Sequence, residues 1–201
     1  MDALQAADGE GNVAGASYYT VRVGEQVAER AAWIYEDPPA ELAPLRGYVS
    51  FEWNTMDAWY EEAEQIFVHA RDPHKRVDVL ASTRHVTVQI AGETVADTHR
   101  PSLLFETGLP TRYYLPREDV RMDLLEPTDQ TSRCPYKGVA TYWTARVGDK
   151  PLRNVVWSYP NPIPENPKIN GLVCFFNERV DLYVDGELQE RPLTPWSVRD
   201  S

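Results

Sequence analysis

Two cysteines in 201 residues, Cys134 and Cys174, are too few to staple a fold with disulfides, and neither belongs to a paired Cys-x-x-Cys of the kind that holds zinc. No apolar run approaches the roughly 20 residues that a membrane-spanning helix needs. Positive charge is also scarce. Twenty lysines and arginines stand against 31 aspartates and glutamates, and the net charge of −11 repels phosphate backbones, so nucleic acid is not expected as a partner. There is no glycine-rich phosphate loop. The opening stretch "MDALQAADGEGNVAGAS" has neither a basic segment nor an apolar centre, so no signal peptide is expected. Histidines 69, 74, 85 and 99 follow no ligand motif. The expectation is a soluble, cytoplasmic protein with reduced thiols, no metal and no cofactor.

What the chain has in quantity is aromatic residues: six tryptophans and eleven tyrosines, within a hydrophobic content of 42%, enough for an ordered core. It also resembles itself. The 42 residues from Ala16 align without a gap on the 42 from Ala140, at a constant offset of 124 and with 14 identities. Tyr18 matches Tyr142, Trp33 matches Trp157, Tyr35 matches Tyr159, and Gly47 matches Gly171. The second copy is preceded by about fifty residues of strand-like pattern, the first by only fifteen. The expected organisation is a flexible N-terminus (1–15), a partial first repeat (16–69), a linker (70–83), a complete second repeat (84–190) and a C-terminal tail (191–201). A half-domain would leave an unpaired sheet edge, so the first repeat is expected to pack on the second or on another subunit, a homodimer being one such arrangement.

Short alternating segments separated by turns define an all-β fold class of small antiparallel sheets with short helical turns. "RHVTVQI" places Val86, Val88 and Ile90 on one face; "SLLFET", "TRYYL", "RNVVWSY", "INGLVCFF" and "VDLYVDG" are further strands. "PREDVRMDLL" reads as one or two helical turns. "PNPIPENP", with four prolines, is a stiff surface loop.

The strings "YYLPREDV", "CPYKGVATYW" and "WSYPNPIP", as a set, resemble the bacterial and fungal domain of unknown function 427 family. The resemblance covers Arg84 to Glu190 in full and Ala16 to about Glu64 as the back half of a second copy. It implies twisted antiparallel sheets of the β-tent kind, as in methionine sulfoxide reductase B and Mss-type zinc proteins, without their zinc cysteines. A nucleotidyltransferase-like label attached to the family finds no phosphate loop or metal-binding aspartate pair here, and nucleotidyl transfer stands as the weakest functional alternative.

Polar groups confined to the second copy are the candidates for chemistry. "CPYKG" (Cys134 to Gly138) becomes "EGNVA" at the same offset in the first copy. A lysine beside a tyrosine can move a proton, and a cysteine near a lysine gains thiolate character. Tyr136 and Lys137 are therefore the candidate acid–base pair, with Glu118 as carboxylate. Arg117, Tyr114, Tyr142, Trp157, Tyr159 and Cys134 are candidates for substrate binding. Tyr142 and Trp143, being adjacent on a strand, face opposite ways; Trp157 and Tyr159 face the same way, under a cap formed by the proline loop. Two functions follow. One is a cofactor-independent enzyme acting on a small molecule in an aromatic pocket; the other is a non-catalytic ligand-binding or protein-interaction module. Convergence of Tyr136, Lys137 and a carboxylate on one cleft separates them.

Overall fold

The computed structural model describes residues 4–7, 13, 15–61, 64–72 and 74–197. Among these the structure is all-β: antiparallel sheets linked by turns and short 3-10 segments, with no closed barrel. No helix is long and apolar enough to cross a membrane. The chain divides into two compact units, Met1–His69 and Ala70–Ser201.

The first unit carries strands β1 (Leu4–Ala6), β2 (Ser17–Val23), β3 (Gln26–Ile34) and β4 (Val49–Phe51) in one sheet in that order, and a hairpin of β5 (Trp59–Glu61) and β6 (Glu64–Ile66). Tyr18, Ala31, Ala32 and Tyr35 are buried in it. The rings of Trp53 and Trp59 stack with centroids 4.7 Å apart, and the Trp59 indole N–H donates to the Trp53 carbonyl. Part of the segment expected to be a flexible N-terminus is a strand. Leu4–Ala6 pairs with β2, from Leu4 opposite Val21 to Ala6 opposite Tyr19, because the β2 edge offers unpaired backbone groups. Residues 1–3, 8–12 and 14 of that segment lie outside the described ones.

The second unit contains β7 (Val77–Ala81), β8 (Val86–Ile90), β9 (Glu93–Thr98), β10 (Ser102–Glu106), β11 (Arg112–Leu115), β12 (Leu125–Cys134), β13 (Gly138–Ala145), β14 (Leu152–Ser158), β15 (Val173–Phe175), β16 (Asp181–Val184) and β17 (Glu187–Leu188). Seven of them form a large sheet, in the order β12-β13-β14-β15-β11-β10-β7, and four a smaller one, β17-β16-β8-β9. "PREDVRMDLL" supplies two 3-10 turns, Arg117–Asp119 and Met122–Leu124. The segment 70–83 is not a plain linker. Val77–Ala81 pairs with the whole of β10, and Val79, on the inward parity, is buried. The C-terminal segment is likewise tied down: the Thr194 hydroxyl donates to Glu178, and the Trp196 ring lies 6.3 Å from that of Phe176.

Alternation along the strands gives the large sheet two unlike faces. Leu115, Ala145, Val156, Val173 and Phe175 point to one side and meet Val86, Val88, Leu182 and Val184 of the small sheet, forming a two-layer core. Leu104, Tyr114, Ala140, Trp157, Tyr159 and Cys174 cluster on the other side. The turn signals fall where positive φ is needed: Gly138 closes the "CPYKG" turn at φ 102°, and an added Cβ there would stand 3.2 Å from the Asn161 carbonyl oxygen.

Strand pairing within the two units follows one pattern. In the first, Tyr18 faces Trp33 and Trp33 faces Ser50; in the second, Tyr142 faces Trp157 and Trp157 faces Cys174. Both hairpins break register at equivalent places, after Tyr19 and after Trp143, and both put the non-glycine residue 124 apart, Arg30 and Asn154, at positive φ.

Leu115 is fully enclosed between the sheets. Replacing it by alanine is expected to cost about 2–5 kcal/mol of stability, measured by urea unfolding followed through tryptophan emission.

Candidate functional site

The aromatic face of the large sheet encloses a cavity of ≈ 380 Å³. Its walls come from alternate positions of neighbouring strands: Leu104 and Glu106 on β10, Arg112 and Tyr114 on β11, Ser132 and Cys134 on β12, Tyr142 on β13, and Trp157 on β14 followed by Tyr159. Lys137 enters from the turn, and Phe176 and Trp196 complete the rim.

Of the residues nominated from sequence, six line this one cavity: Lys137, Cys134, Tyr114, Tyr142, Trp157 and Tyr159. The parity argument holds, because Tyr142 faces the cavity while Trp143 packs on the opposite core. Three nominated residues do not line it. Tyr136 is buried, with its phenol oxygen accepting from the Asp72 backbone N–H at 2.9 Å and the Lys75 ammonium over its ring. Of the adjacent Tyr136 and Lys137, only Lys137 lines the cavity; the turn, closed by Lys137 N–H to the Cys134 carbonyl, sets Cys134, Pro135 and Lys137 on the cavity and Tyr136 away from it. Glu118 is on the surface, bonded to Arg100 at 2.9 Å, and that same arginine together with Thr98 holds the Asp119 carboxyl below its ordinary range. Arg117 lies over the Trp143 ring at 5.4 Å. Consecutive residues of a 3-10 turn splay outward, so "PRED" supplies no cavity group.

The proline loop is not the cap either. It clamps the turn: Gly138 bridges to Pro162, the Ile163 N–H donates to the Lys137 carbonyl at 3.2 Å, and the Asn166 amide donates to the Tyr136 carbonyl at 2.7 Å. These bonds hold the backbone from which Lys137 projects.

The carboxylate that Lys137 meets is Glu106, at 2.5 Å, and both are buried. Glu106 also receives the Lys75 ammonium at 3.4 Å. At Arg112, two parallel bonds of 2.7 and 2.6 Å join the guanidinium to Glu178, which also accepts from Thr194. The Arg112 guanidinium carbon lies 5.5–5.7 Å from the ring centroids of Trp157, Phe176 and Trp196. Burial alone would raise the Glu178 carboxyl, but the bonds from Arg112 and Thr194 outweigh it and hold it below the usual glutamate range. Neither Glu106 nor Glu178 was nominated from sequence. Their signal is weak, since each is one acid among 31 and finds its partner 31 or 66 residues away.

Burial pushes the Tyr114 and Tyr159 phenols well above their ordinary value, so both stay protonated at neutral pH. The Trp157 indole N–H donates to the Tyr114 oxygen at 3.1 Å, and the Ser132 and Tyr142 hydroxyls share a bond of 2.7 Å. The Cys174 thiol, fully enclosed beneath, is also raised by burial and is inert.

An all-β domain with an aromatic, ion-paired cavity on one sheet face is thus the class of protein the structure defines. The family model NTP_transf_9, described as domain of unknown function DUF427, matches residues 13–62 and 78–186, and the chain belongs to that family. No curated protein matches it.

Glu178→Gln is expected to destabilise the fold by about 3–5 kcal/mol at neutral pH, because it leaves Arg112 charged and buried without a counter-charge. The carboxyl is depressed in the folded state. Its contribution is therefore complete above the ordinary glutamate value of about 4.3 and is lost as pH falls through the folded value, so wild type and variant should converge in urea unfolding at acid pH.

Proposed function

We propose that the second unit binds a small molecule in this cavity, and that the ligand has a flat apolar body ending in an acidic group. The observation that carries this reading is the local charge. Arg112 and Lys137 line the cavity and Lys75 stands at Glu106, three cations against two carboxylates, Glu106 and Glu178. A positive excess inside a chain of net charge −11 is not a consequence of composition. Placed among aromatic walls, it favours an anion whose body stacks on Trp157 and whose acid reaches the lysine end. The size suits a metabolite rather than a peptide.

The first unit, on this reading, is a copy of the sheet kept without the lysine. It has Tyr18 and Trp33 where the second has Tyr142 and Trp157, but Val13 where the second has Lys137. Duplication with loss of the charged group is what a packing module would undergo.

The Lys137–Glu106 bond also favours a second reading, in which the bound acid is converted. A buried ammonium and carboxylate in contact can pass a proton to a ligand and take it back, the role first assigned to Tyr136 with Lys137.

The test is a calorimetric and tryptophan-fluorescence screen of aromatic carboxylates and phosphates, each beside its neutral amide or ester. Acids are expected to bind at least about tenfold more tightly than their neutral partners, a difference of roughly 1.4 kcal/mol. Lys137→Met should remove that preference while leaving neutral analogues unchanged. Equal binding of acids and neutral analogues overturns the proposal. Recovery of the bound acid unchanged fixes binding as the function, whereas a new product whose formation Glu106→Gln abolishes fixes catalysis.

A further inference from the structure

The small sheet holds a second constellation, on the face that the core does not use. In the β8/β9 ladder Thr87 faces Asp97 and Val86 faces Thr98; one step further the same register sets His85 opposite His99. Strand alternation puts His85, Thr87, Asp97 and His99 on one side, opposite to the buried Val86 and Val88. The two imidazoles stack with centroids 4.1 Å apart and planes 13° from parallel. His85 Nε2 lies 2.9 Å from Asp97 Oδ1 and 3.3 Å from the Thr87 hydroxyl. A ligand atom from each of His85, Asp97 and His99 falls within 4.8 Å of the others.

We propose that His85, Asp97 and His99 form a binding site for a divalent transition ion of the zinc class. Two imidazole nitrogens and one carboxylate oxygen are a borderline donor set, which suits zinc, copper or nickel better than magnesium or calcium. Metal–ligand bonds of about 2.0–2.2 Å put ligand atoms roughly 3–3.5 Å apart around a tetrahedral ion, so the three groups must draw in by about an ångström. Rotation of the exposed rings out of the stack accomplishes this, because an ion must lie in the plane of each imidazole it meets. The backbone beneath need not move. It is held by the ladder and by Asp185, whose carboxylate accepts from the His85 N–H at 3.0 Å and whose own N–H donates to the His85 carbonyl at 2.8 Å. Arg84 pairs with that Asp185 carboxylate at 3.2 Å, which keeps it from competing for the ion. Three protein ligands on an open surface leave the fourth position to water or to an exogenous ligand.

The site is separate from the cavity in residues and in sheet, so it stands or falls independently of the ligand-binding proposal. It is tested by titrating the whole protein with Zn²⁺ alone against a chromophoric chelator while following the imidazole resonances of all four histidines. One equivalent should bind, the His85 and His99 resonances should shift, and those of His69 and His74 should stay in place. His99→Gln and Asp97→Asn should each weaken binding by roughly tenfold or more, since even outer-shell changes cost 10–100-fold at such sites. His74→Gln should change nothing. The visible spectrum of the Co²⁺ form reads the coordination geometry directly. Stoichiometric binding that survives in the His85→Gln/His99→Gln double variant, with its circular dichroism unaltered, overturns the assignment, as does a saturating titration that leaves both resonances unmoved.

Discussion

A β-strand can offer neighbouring side chains only to opposite faces, and the second unit is organised by that constraint. Each central strand of the seven-stranded sheet carries two messages at once. Tyr113 and Leu115 of β11 go to the inter-sheet core while Arg112 and Tyr114 go to the cavity; β13 divides Trp143 from Tyr142 in the same way. A shift of one residue in any of these strands would send the ion-pairing groups into the apolar core and the core residues to the cavity. The packing of the two sheets therefore also determines the composition of the cavity wall.

The polar groups of that wall are kept by pairing rather than by exposure. Glu178 is enclosed, and its charge persists because Arg112 and Thr194 both bond to it. Lys137 is anchored by Glu106 and by a turn that the proline loop grips from outside. An unpaired charge in the same place would be neutralised or would open the structure. Three cations, Arg112, Lys137 and Lys75, thus meet two carboxylates at the cavity, in a chain otherwise rich in acids.

Much of this could be read in advance. The alternating runs located most strands of the second unit, though not the ten-residue β12, and parity placed Trp157 and Tyr159 on a common face and separated Tyr142 from Trp143. Comparison of "CPYKG" with "EGNVA" singled out Lys137. The same comparison also singled out Tyr136, which the tight turn directs away from the cavity wall, because a turn separates two adjacent side chains as thoroughly as a strand does. It also passed over 70–83, where charged neighbours obscure a five-residue strand. The histidines at 85 and 99 were invisible for a different reason: no local motif spans fourteen residues and a hairpin, and only the ladder register sets them face to face.

What the amino-acid sequence alone determined is everything set by short-range periodicity and steric preference: the all-β class, the strand positions, the glycine-closed turns and the family. The tertiary structure alone decided the partners. Glu106 rather than Tyr136 or Glu118 stands with Lys137, Glu178 holds Arg112, and His99 meets His85, because each pairing is made across strands by residues whose separation in the chain carries no trace of their contact.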